Sequence, residues 1–244
     1  MAETVFGIHA VSELLERHPE QVIRLSFQAG RDDRRLQSIK DQAQQLGLLS
    51  DVVPRRDLDQ LVSGRHQGVV AEVKNLPQRQ ESELYDLLEQ AGSKGLVLVL
   101  DGVTDPHNLG ACLRSADAAG ATAVVVPKDK SAQINATVRK VACGAAEVVP
   151  FFAVTNLART LKQMAQQGIW IVGTSGDADS LIYDIDMSGP VAVVMGAEGD
   201  GMRRLTRENC DYLAKLPMAG TVSSVNVSVA TGICLFEAVR QRQS

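Results

Sequence analysis

Five side chains in the last three-fifths of the chain stand in settings suited to chemistry: Asn108, Arg114, Glu198, Ser224 and Asn226. Arg114 follows the turn-forming run DGVTDPHNLG on a segment that reads as a helix. Glu198 sits in the Gly-rich turn of VVMGAEGDGM, directly after an apolar strand. Ser224 and Asn226 belong to residues 216–236, LPMAGTVSSVNVSVATGICLF, a run dominated by Gly, Ala, Ser, Thr and Val. Amides, a carboxylate and a guanidinium can orient a hydroxyl, bind a phosphate and stabilise developing negative charge. Small neighbours let the backbone approach a ligand closely. A plainer role is open to each. Asn108 can cap its helix, Arg114 can sit in a surface ion pair, and Glu198 can bond the turn backbone. Ser224 and Asn226 can cap the last helix.

Other chemistries find no support. Cys112, Cys143, Cys210 and Cys234 are scattered without a CxxC pair, and no His/Cys ligand cluster exists, so no metal is expected. The apolar flanks predict buried, reduced thiols. A dinucleotide site needs GxGxxG after the first strand of its domain; after residues 96–100 the chain instead reads DGVTDPHNLGACLRS. A P-loop is likewise missing. His107 is a lone loop histidine beside Asn108 and reads as a solvent-exposed residue. What is left is chemistry done by position and charge.

The elements that must hold these residues follow from periodicity. The 244 residues are 45% hydrophobic but only 4% aromatic, so the core is aliphatic. Residues 1–74 alternate helix and strand signals, with helices over 7–17, from Asp32 or Asp33 through 46, and over 57–62, and strands over 22–27, 49–53 and 68–73. This predicts a small α/β domain. Residues 75–91 read as a linker that becomes a short amphipathic helix. Residues 92–244 alternate apolar runs at 96–100, 123–126, 148–151, 169–173, 191–195 and 213–216 with helices starting near Asn108, Ile134, Asn156 and Gly201. Unbroken Val/Leu runs indicate a parallel sheet buried between two helix layers. Ligands bind such sheets beyond the carboxyl ends of the strands. Gly173-Thr174-Ser175-Gly176, Gly196-Ala197-Glu198-Gly199 and Pro217-Met218-Ala219-Gly220 all fall there. Residues 225–229 alternate like a strand, yet Ser223 and Ser224 are good caps; loop followed by a helix through 242 is the preferred reading.

Net charge is −4 and the pI about 5.6, against indiscriminate nucleic-acid binding. Residues 1–74 carry ten Lys/Arg against eleven Asp/Glu. Their cations nonetheless cluster as Arg31, Arg34, Arg35 and as Arg55, Arg56, Arg65. They are either a solvated face or a set of phosphate contacts that positions RNA without reading its sequence. The N-terminus lacks the form of a signal peptide, and no apolar run approaches the roughly 18 residues of a membrane span. A cytoplasmic protein is expected.

Three segments in order resemble the three motifs of the SpoU family of RNA 2′-O-ribose methyltransferases. They match at Asn108, Gly110 and Arg114, at Gly196, Glu198, Gly199 and Gly201, and at Pro217, Ser224, Asn226 and Ser228. With its N-terminal region the chain resembles the members that methylate a guanosine ribose in the peptidyl-transferase P-loop of 23S ribosomal RNA. The resemblance implies S-adenosyl-L-methionine as methyl donor, held near Gly196, Leu216, Met218 and Val225 with Thr174, Gly176 and Gly201 in the same loops. It implies catalytic roles for Arg114, Asn108, Glu198, Asn226 and Ser224, with Glu198 orienting Arg114 or Asn108, and Arg114 either the base or a phosphate-binding, charge-stabilising group. It further implies a SPOUT-type trefoil knot, an N-terminal RNA-binding domain like ribosomal protein L30e, and a homodimer in which Arg114 serves the partner's cofactor.

Overall fold

The computed structural model describes residues 3–31, 33–62, 66–74 and 79–243, without the side chains at 3 and 17. Asp32, Arg65 and positions 75–78 of the expected linker lie outside the described residues. The chain packs as two units, Met1–Pro77 with Ile134–Val148, and Gln78–Gln133 with Val149–Ser244.

In the first unit the order is β1 (Glu3–Phe6), α1 (Ile8–Arg17), β2 (Val22–Gln28), α2 (Arg34–Gln45), β3 (Ser50–Val53), α3 (Arg55–Leu61) and β4 (Val69–Val73). The strands form one sheet in the order β1-β4-β2-β3, with β2 and β3 parallel and the other pairs antiparallel. Val11, Leu14 and Leu15 from α1 and Leu36, Ile39 and Ala43 from α2 bury on Leu25, Phe27, Val69 and Ala71. These are the helical stripes visible in the sequence. Asp33 caps α2, its carboxylate accepting from the Leu36 N–H at 3.1 Å.

The chain continues through α4 (Glu81–Ala91), β5 (Leu96–Asp101), α5 (Pro106–Ala118), β6 (Ala123–Pro127), α6 (Ala136–Ala142), α7 (Ala145–Val148), β7 (Phe151–Val154) and α8 (Leu157–Gln166). It ends with β8 (Trp170–Thr174), β9 (Ser180–Leu181), β10 (Val191–Gly196), α9 (Arg204–Arg207), β11 (Tyr212–Lys215) and α10 (Val227–Arg242). Helices α6 and α7, read from the sequence as part of 92–244, group with the first unit, packing on β1 and α1. The remaining elements build the second unit around a seven-stranded sheet, ordered β7-β6-β5-β10-β8-β11-β9, in which every neighbouring pair is parallel. Strands β5 and β6 are buried at every residue, which is what their unbroken apolar runs predict. Val97, Val99, Ala192 and Val194 pack with Leu84 and Leu88 of α4 and Leu161 and Met164 of α8. The alternate residues, Leu98, Leu100 and Val193, are buried on the other face, where α5 and α10 pack on each other.

Several boundaries differ from the sequence reading, for local reasons. Helix α5 begins under Asp105, whose carboxylate accepts from the His107 N–H at 2.9 Å, with Pro106 at its first position. Asn108, expected as the cap, is the third residue inside. Asn226, not Ser223 or Ser224, caps α10. The expected strand at 148–151 is divided: Val148 ends α7, and β7 starts at Phe151, after Pro150, which has no N–H for the ladder. Strands β1 and β9 were not foreseen, and the two residues of β9 are too few to show a period. The cysteines are not uniformly buried. Burial pushes the thiols of Cys112 up to about 11 and of Cys234 to about 12, and that of half-buried Cys210 to about 12. Cys143 is exposed, at the left-handed end of α6 (φ 54°).

Helix α10 carries Asn226 at its start, so its anchorage matters to the site. At its far end the Arg242 guanidinium donates to four backbone carbonyls: Met187 at 3.2 Å, Lys94 at 3.1 Å, Gly95 at 3.0 Å and Gly189 at 2.6 Å. Replacing Arg242 by Ala strands these acceptors and should destabilise the fold by about 2 kcal/mol. Urea unfolding measures this; a loss below about 0.5 kcal/mol, the level of an ordinary surface change, would show the staple to be idle.

Candidate active site at the carboxyl edge of the large sheet

Three of the polar residues singled out by type, Asn108, Glu198 and Asn226, converge because the segments that carry them follow strands of one parallel sheet. Strand β10 lies between β5 and β8 with Gly196 beside Asp101 and Val194 beside Gly173. The chain turns sharply after Gly196. Ala197 and Gly201 exchange both backbone hydrogen bonds at 3.0 Å, closing a hairpin of three residues, Glu198, Gly199 and Asp200. Gly199 at its tip has φ 85°, a conformation costly for any side chain. Gly196 is required for a different reason. A Cβ there would lie 2.4 Å from the Gly201 carbonyl carbon and 2.4 Å from the Met202 nitrogen. The space a side chain would take is filled by the returning backbone.

The hairpin presents Glu198 to two amides. Its Oε1 accepts from Asn108 Nδ2 at 2.9 Å and from Asn226 Nδ2 at 3.0 Å, and Asn226 Nδ2 also reaches Asn108 Oδ1 at 3.0 Å. The Asn226 Oδ1 faces the helix it caps, accepting from Ser228 N at 2.9 Å and Ser228 Oγ at 2.6 Å. One residue therefore starts α10 and joins the carboxylate. Glu198 and Asn226 are exposed and Asn108 half-buried, so each bond is made in competition with water. The triangle orients its members more than it stabilises the fold.

Beside it the loops after β8, β10 and β11 enclose an open cleft of about 890 Å³. Thr174, Gly176, Gly196, Gly201, Leu216, Met218 and Val225, the residues proposed from the sequence for cofactor contact, all line it. So do Glu198, Ser224 and Asn226. Asn108 reaches the cleft only through Glu198 and Asn226, and Arg114, exposed on α5, is not among the lining residues. Among the described residues no group of three His, Cys, Asp or Glu could hold a metal ion.

Sequence reasoning missed two sets of neighbours. Arg207 of α9 holds the loop after β8, donating to Ser175 Oγ at 2.7 Å and to both Asp177 oxygens at 3.0 and 3.1 Å. These bonds, with the one from Ser175, hold the Asp177 carboxyl down at about 2, so the clamp keeps its charge through the neutral range. Asp101, buried at the end of β5, accepts from the Arg203 N–H at 2.8 Å. Neither set has a periodic signature; an acid ending an apolar strand was the available hint for Asp101. The His107 ring is exposed and pairs with the cap Asp105 at 3.2 Å, as a loop histidine would.

In the first unit Arg34 and Arg35 open α2 and Arg55 and Arg56 open α3; all four are exposed. Because β2 and β3 are parallel, with Gln28 beside Val53, both helices leave the same edge of the sheet. Arg31 is engaged locally: its Nε donates to Asp33 at 2.8 Å, and its stem lies over Gly68.

A parallel α/β sheet with an open, small-residue cleft at its carboxyl edge defines a ligand-binding enzyme fold. The chain belongs to the SpoU rRNA Methylase family, whose pattern matches residues 95–236, and residues 4–79 match the RNA 2'-O ribose methyltransferase substrate binding domain. It is 60% identical over 240 residues to the 23S rRNA (guanosine-2'-O-)-methyltransferase RlmB of Pseudomonas aeruginosa, covering 98% of this chain and 97% of that one. To the protein of that name from Photorhabdus laumondii it is 58% identical over 245 residues, covering all of both. The fold is similar to that of the SpoU methyltransferase AviRb from Streptomyces viridochromogenes, solved in complex with the cofactor AdoMet, with a TM-score of 0.83 at 24% identity over 98% of this chain and 90% of that one.

Two of the cleft glycines, Gly196 and Gly176, should separate in their response to a methyl group. Gly196→Ala forces backbone apart at the hairpin and should cost about 1–3 kcal/mol. At Gly176 a Cβ meets nothing within 4 Å, so Gly176→Ala should be near neutral. Denaturant unfolding of the two variants compares them, and equal stability would show that the hairpin tolerates a side chain.

Proposed function

We propose that the protein transfers a methyl group from S-adenosyl-L-methionine to the ribose 2′-oxygen of a guanosine in the peptidyl-transferase P-loop of 23S ribosomal RNA. The observation that carries this is the meeting of Asn108, Glu198 and Asn226, one from each motif segment, beside the cleft. The names of the relatives support a guanosine ribose of 23S ribosomal RNA, and the P-loop target rests on the resemblance read from the sequence.

The cleft fits the donor: its volume is in the range of small-molecule sites, and its lining is mostly Gly, Ala, Ser and Val, which expose backbone donors and acceptors. Thr174, Gly176, Gly196, Gly201, Leu216, Met218 and Val225 would hold S-adenosyl-L-methionine, which supplies a methyl group on a positively charged sulfur. Transfer to a hydroxyl is an in-line displacement: the O–CH3 bond would form as the S–CH3 bond breaks, the neutral thioether would leave, and the 2′-proton would pass to water at the open cleft, so the chain's main contribution is position. Asn108, Glu198, Asn226 and Ser224 fix the ribose side. Arg114 binds the adjacent phosphate and stabilises charge developing on the 2′-oxygen, a part that a permanently charged, fork-shaped guanidinium suits better than that of a base.

Residues 1–74 form the RNA-binding domain in this reading, of L30e type, and 92–244 the catalytic one, with residues 134–148 of that span packing in the first unit. Supporting it, Arg34, Arg35, Arg55 and Arg56 crowd one sheet edge at helix N-termini, where the helix dipole disfavours cations. Arg31 and Arg65 complete the set read from the sequence. A trefoil knot is supported by β10 lying between β5 and β8 while the loops after β10 and β11 share one cleft. A homodimer is supported by Val229, Ile233 and Phe236, which are 51, 37 and 48% exposed along one face of α10. No helix of the described residues is long and apolar enough to cross a membrane. A cytoplasmic location accords with the proposed substrate.

Purified protein with labelled S-adenosyl-L-methionine and 23S RNA should place the label on a guanosine ribose, at the position that loses its 2′-O-methyl group in cells lacking the protein. Label on a base would sink the reading. On the same RNA, changing Arg34, Arg35, Arg55 and Arg56 to Ala should weaken binding and flatten its salt dependence by roughly one unit of slope per lost contact; an unaltered slope would return them to a solvated face.

The dimer makes a separate prediction. Arg114→Ala should abolish transfer and leave cofactor binding intact. Gly176→Trp should fill the cleft and block the cofactor without straining the hairpin. If Arg114 serves the partner's cleft, a mixed dimer of the two variants has one site with both parts sound and regains activity. A mixed dimer confirmed by two affinity tags that stays inactive would show that Arg114 serves its own chain.

A further inference from the structure

Asp101 is 1% exposed with its side chain fully buried, and no expectation from the sequence gave it a role. It ends β5 beside Gly196, the last residue of β10. Its Oδ2 accepts from the backbone N–H of Arg203 at 2.8 Å. Its Oδ1 is buried with no hydrogen-bond donor among the described residues, and the charge is offset by the Arg203 guanidinium, whose Nε lies 3.5 Å away. Burying a carboxylate is expensive unless a cation and donors compensate it. An apolar residue would end the strand at lower cost, so the acid must hold something that an apolar residue cannot.

What it holds is the exit of the hairpin. Residues 197–201 fold flush onto Gly196, and Met202 and Arg203 leave along the end of β5. Asp101 hooks that exit through the Arg203 N–H. The Arg203 side chain also donates Nη2 to the Asp129 carbonyl at 3.2 Å, in the loop after β6. That loop is in turn bound to the one after β5, since the Val103 carbonyl accepts from Ala132 N at 2.8 Å and Ser131 Oγ at 3.2 Å. Three strand-end loops thus meet on one ion pair. The first leads to Asn108 and the hairpin bears Glu198.

We propose that Asp101 and Arg203 are a positioning pair that fixes the hairpin, and through it sets Glu198 against Asn108 and Asn226 for methyl transfer. The part concerning transfer rests on the proposed methyltransferase function; the part concerning the hairpin does not. Asp101→Asn keeps an acceptor for the Arg203 N–H but removes the charge. Hydrogen exchange at the Ala197 and Gly201 amides should quicken roughly five- to tenfold, as a charge-assisted bond becomes a neutral one of about half the strength. Amides in the middle of β5 should keep their protection.

Arg203→Ala leaves the buried carboxylate without its cation and should loosen the hairpin further. Combining Asp101→Asn with Arg203→Ala removes the uncompensated charge, so the double variant should be better protected than Arg203→Ala alone. Single-turnover methyl transfer at saturating cofactor should follow the same order, with a loss on the order of 10²-fold where the triangle is displaced. Unchanged exchange at Ala197 and Gly201 in the single variants, purely additive effects, or protection lost equally throughout β5 would overturn the pair's role. Should Asp101→Asn fail to fold, Arg203→Ala alone decides the question through exchange at Ala197 and Gly201, since the Arg203 side chain is 43% exposed. If the wild-type protein transfers no methyl group the functional reading fails, while hairpin exchange still tests the anchor.

Discussion

The site depends on one reversal of the chain immediately after β10. Gly196 has no room for a Cβ, because the backbone of Gly201 and Met202 lies 2.4 Å from where it would be. That contact is available only to glycine, and it turns the strand end into a three-residue hairpin closed by Ala197 and Gly201. Glu198 is thereby held at the sheet edge in reach of segments 90 and 28 residues away in sequence. A wider turn would carry the carboxylate away from Asn108 and Asn226. Asp101 and Arg203 hold the other end of the same reversal, and Arg242 holds the far end of the helix that Asn226 caps.

The fold class and most core positions were legible because they depend on composition and period. The runs LVLVLD and VAVVMG suit strands buried on both faces, as in a parallel sheet between helices, and the stripe Leu36, Ile39, Ala43 suits the inward face of a helix. Boundaries were less legible where two signals compete. Asp105-Pro106 is a strong helix start, yet Asn108 is also a good cap, and the proline decides. At 225–229 a strand-like alternation yields to the Asn226 cap. Residues 134–148 carry ordinary helical signals, and nothing in period shows which unit's core they cover.

Within the site, small residues marked the loops that line the cleft, because open backbone requires them. The partners that hold those loops were not legible. Asp101, Arg203, Arg207 and Asp177 are ordinary polar residues by type, and their importance lies in contacts between segments 30 to 102 residues apart. Cys143 shows the same limit from the other side: its apolar flanks suggested burial, but it ends its helix in a left-handed conformation at the surface.

The exposure of the triangle bears on how it can act. In water a hydrogen bond among Asn108, Glu198 and Asn226 contributes on the order of 1 kcal/mol, too little to hold reacting atoms on one axis. The same bonds strengthen when water is excluded, since the local dielectric falls. A cover is therefore needed for the site to reach full effect. The apolar face of α10, with Val229, Ile233 and Phe236 outward, begins one turn beyond Asn226. A partner seated on that face and reaching back to Asn226 would also shield the triangle from water. In the proposed dimer the partner would provide this cover and bring its Arg114 close, so that association, desolvation and completion of the charge-stabilising set would be one event.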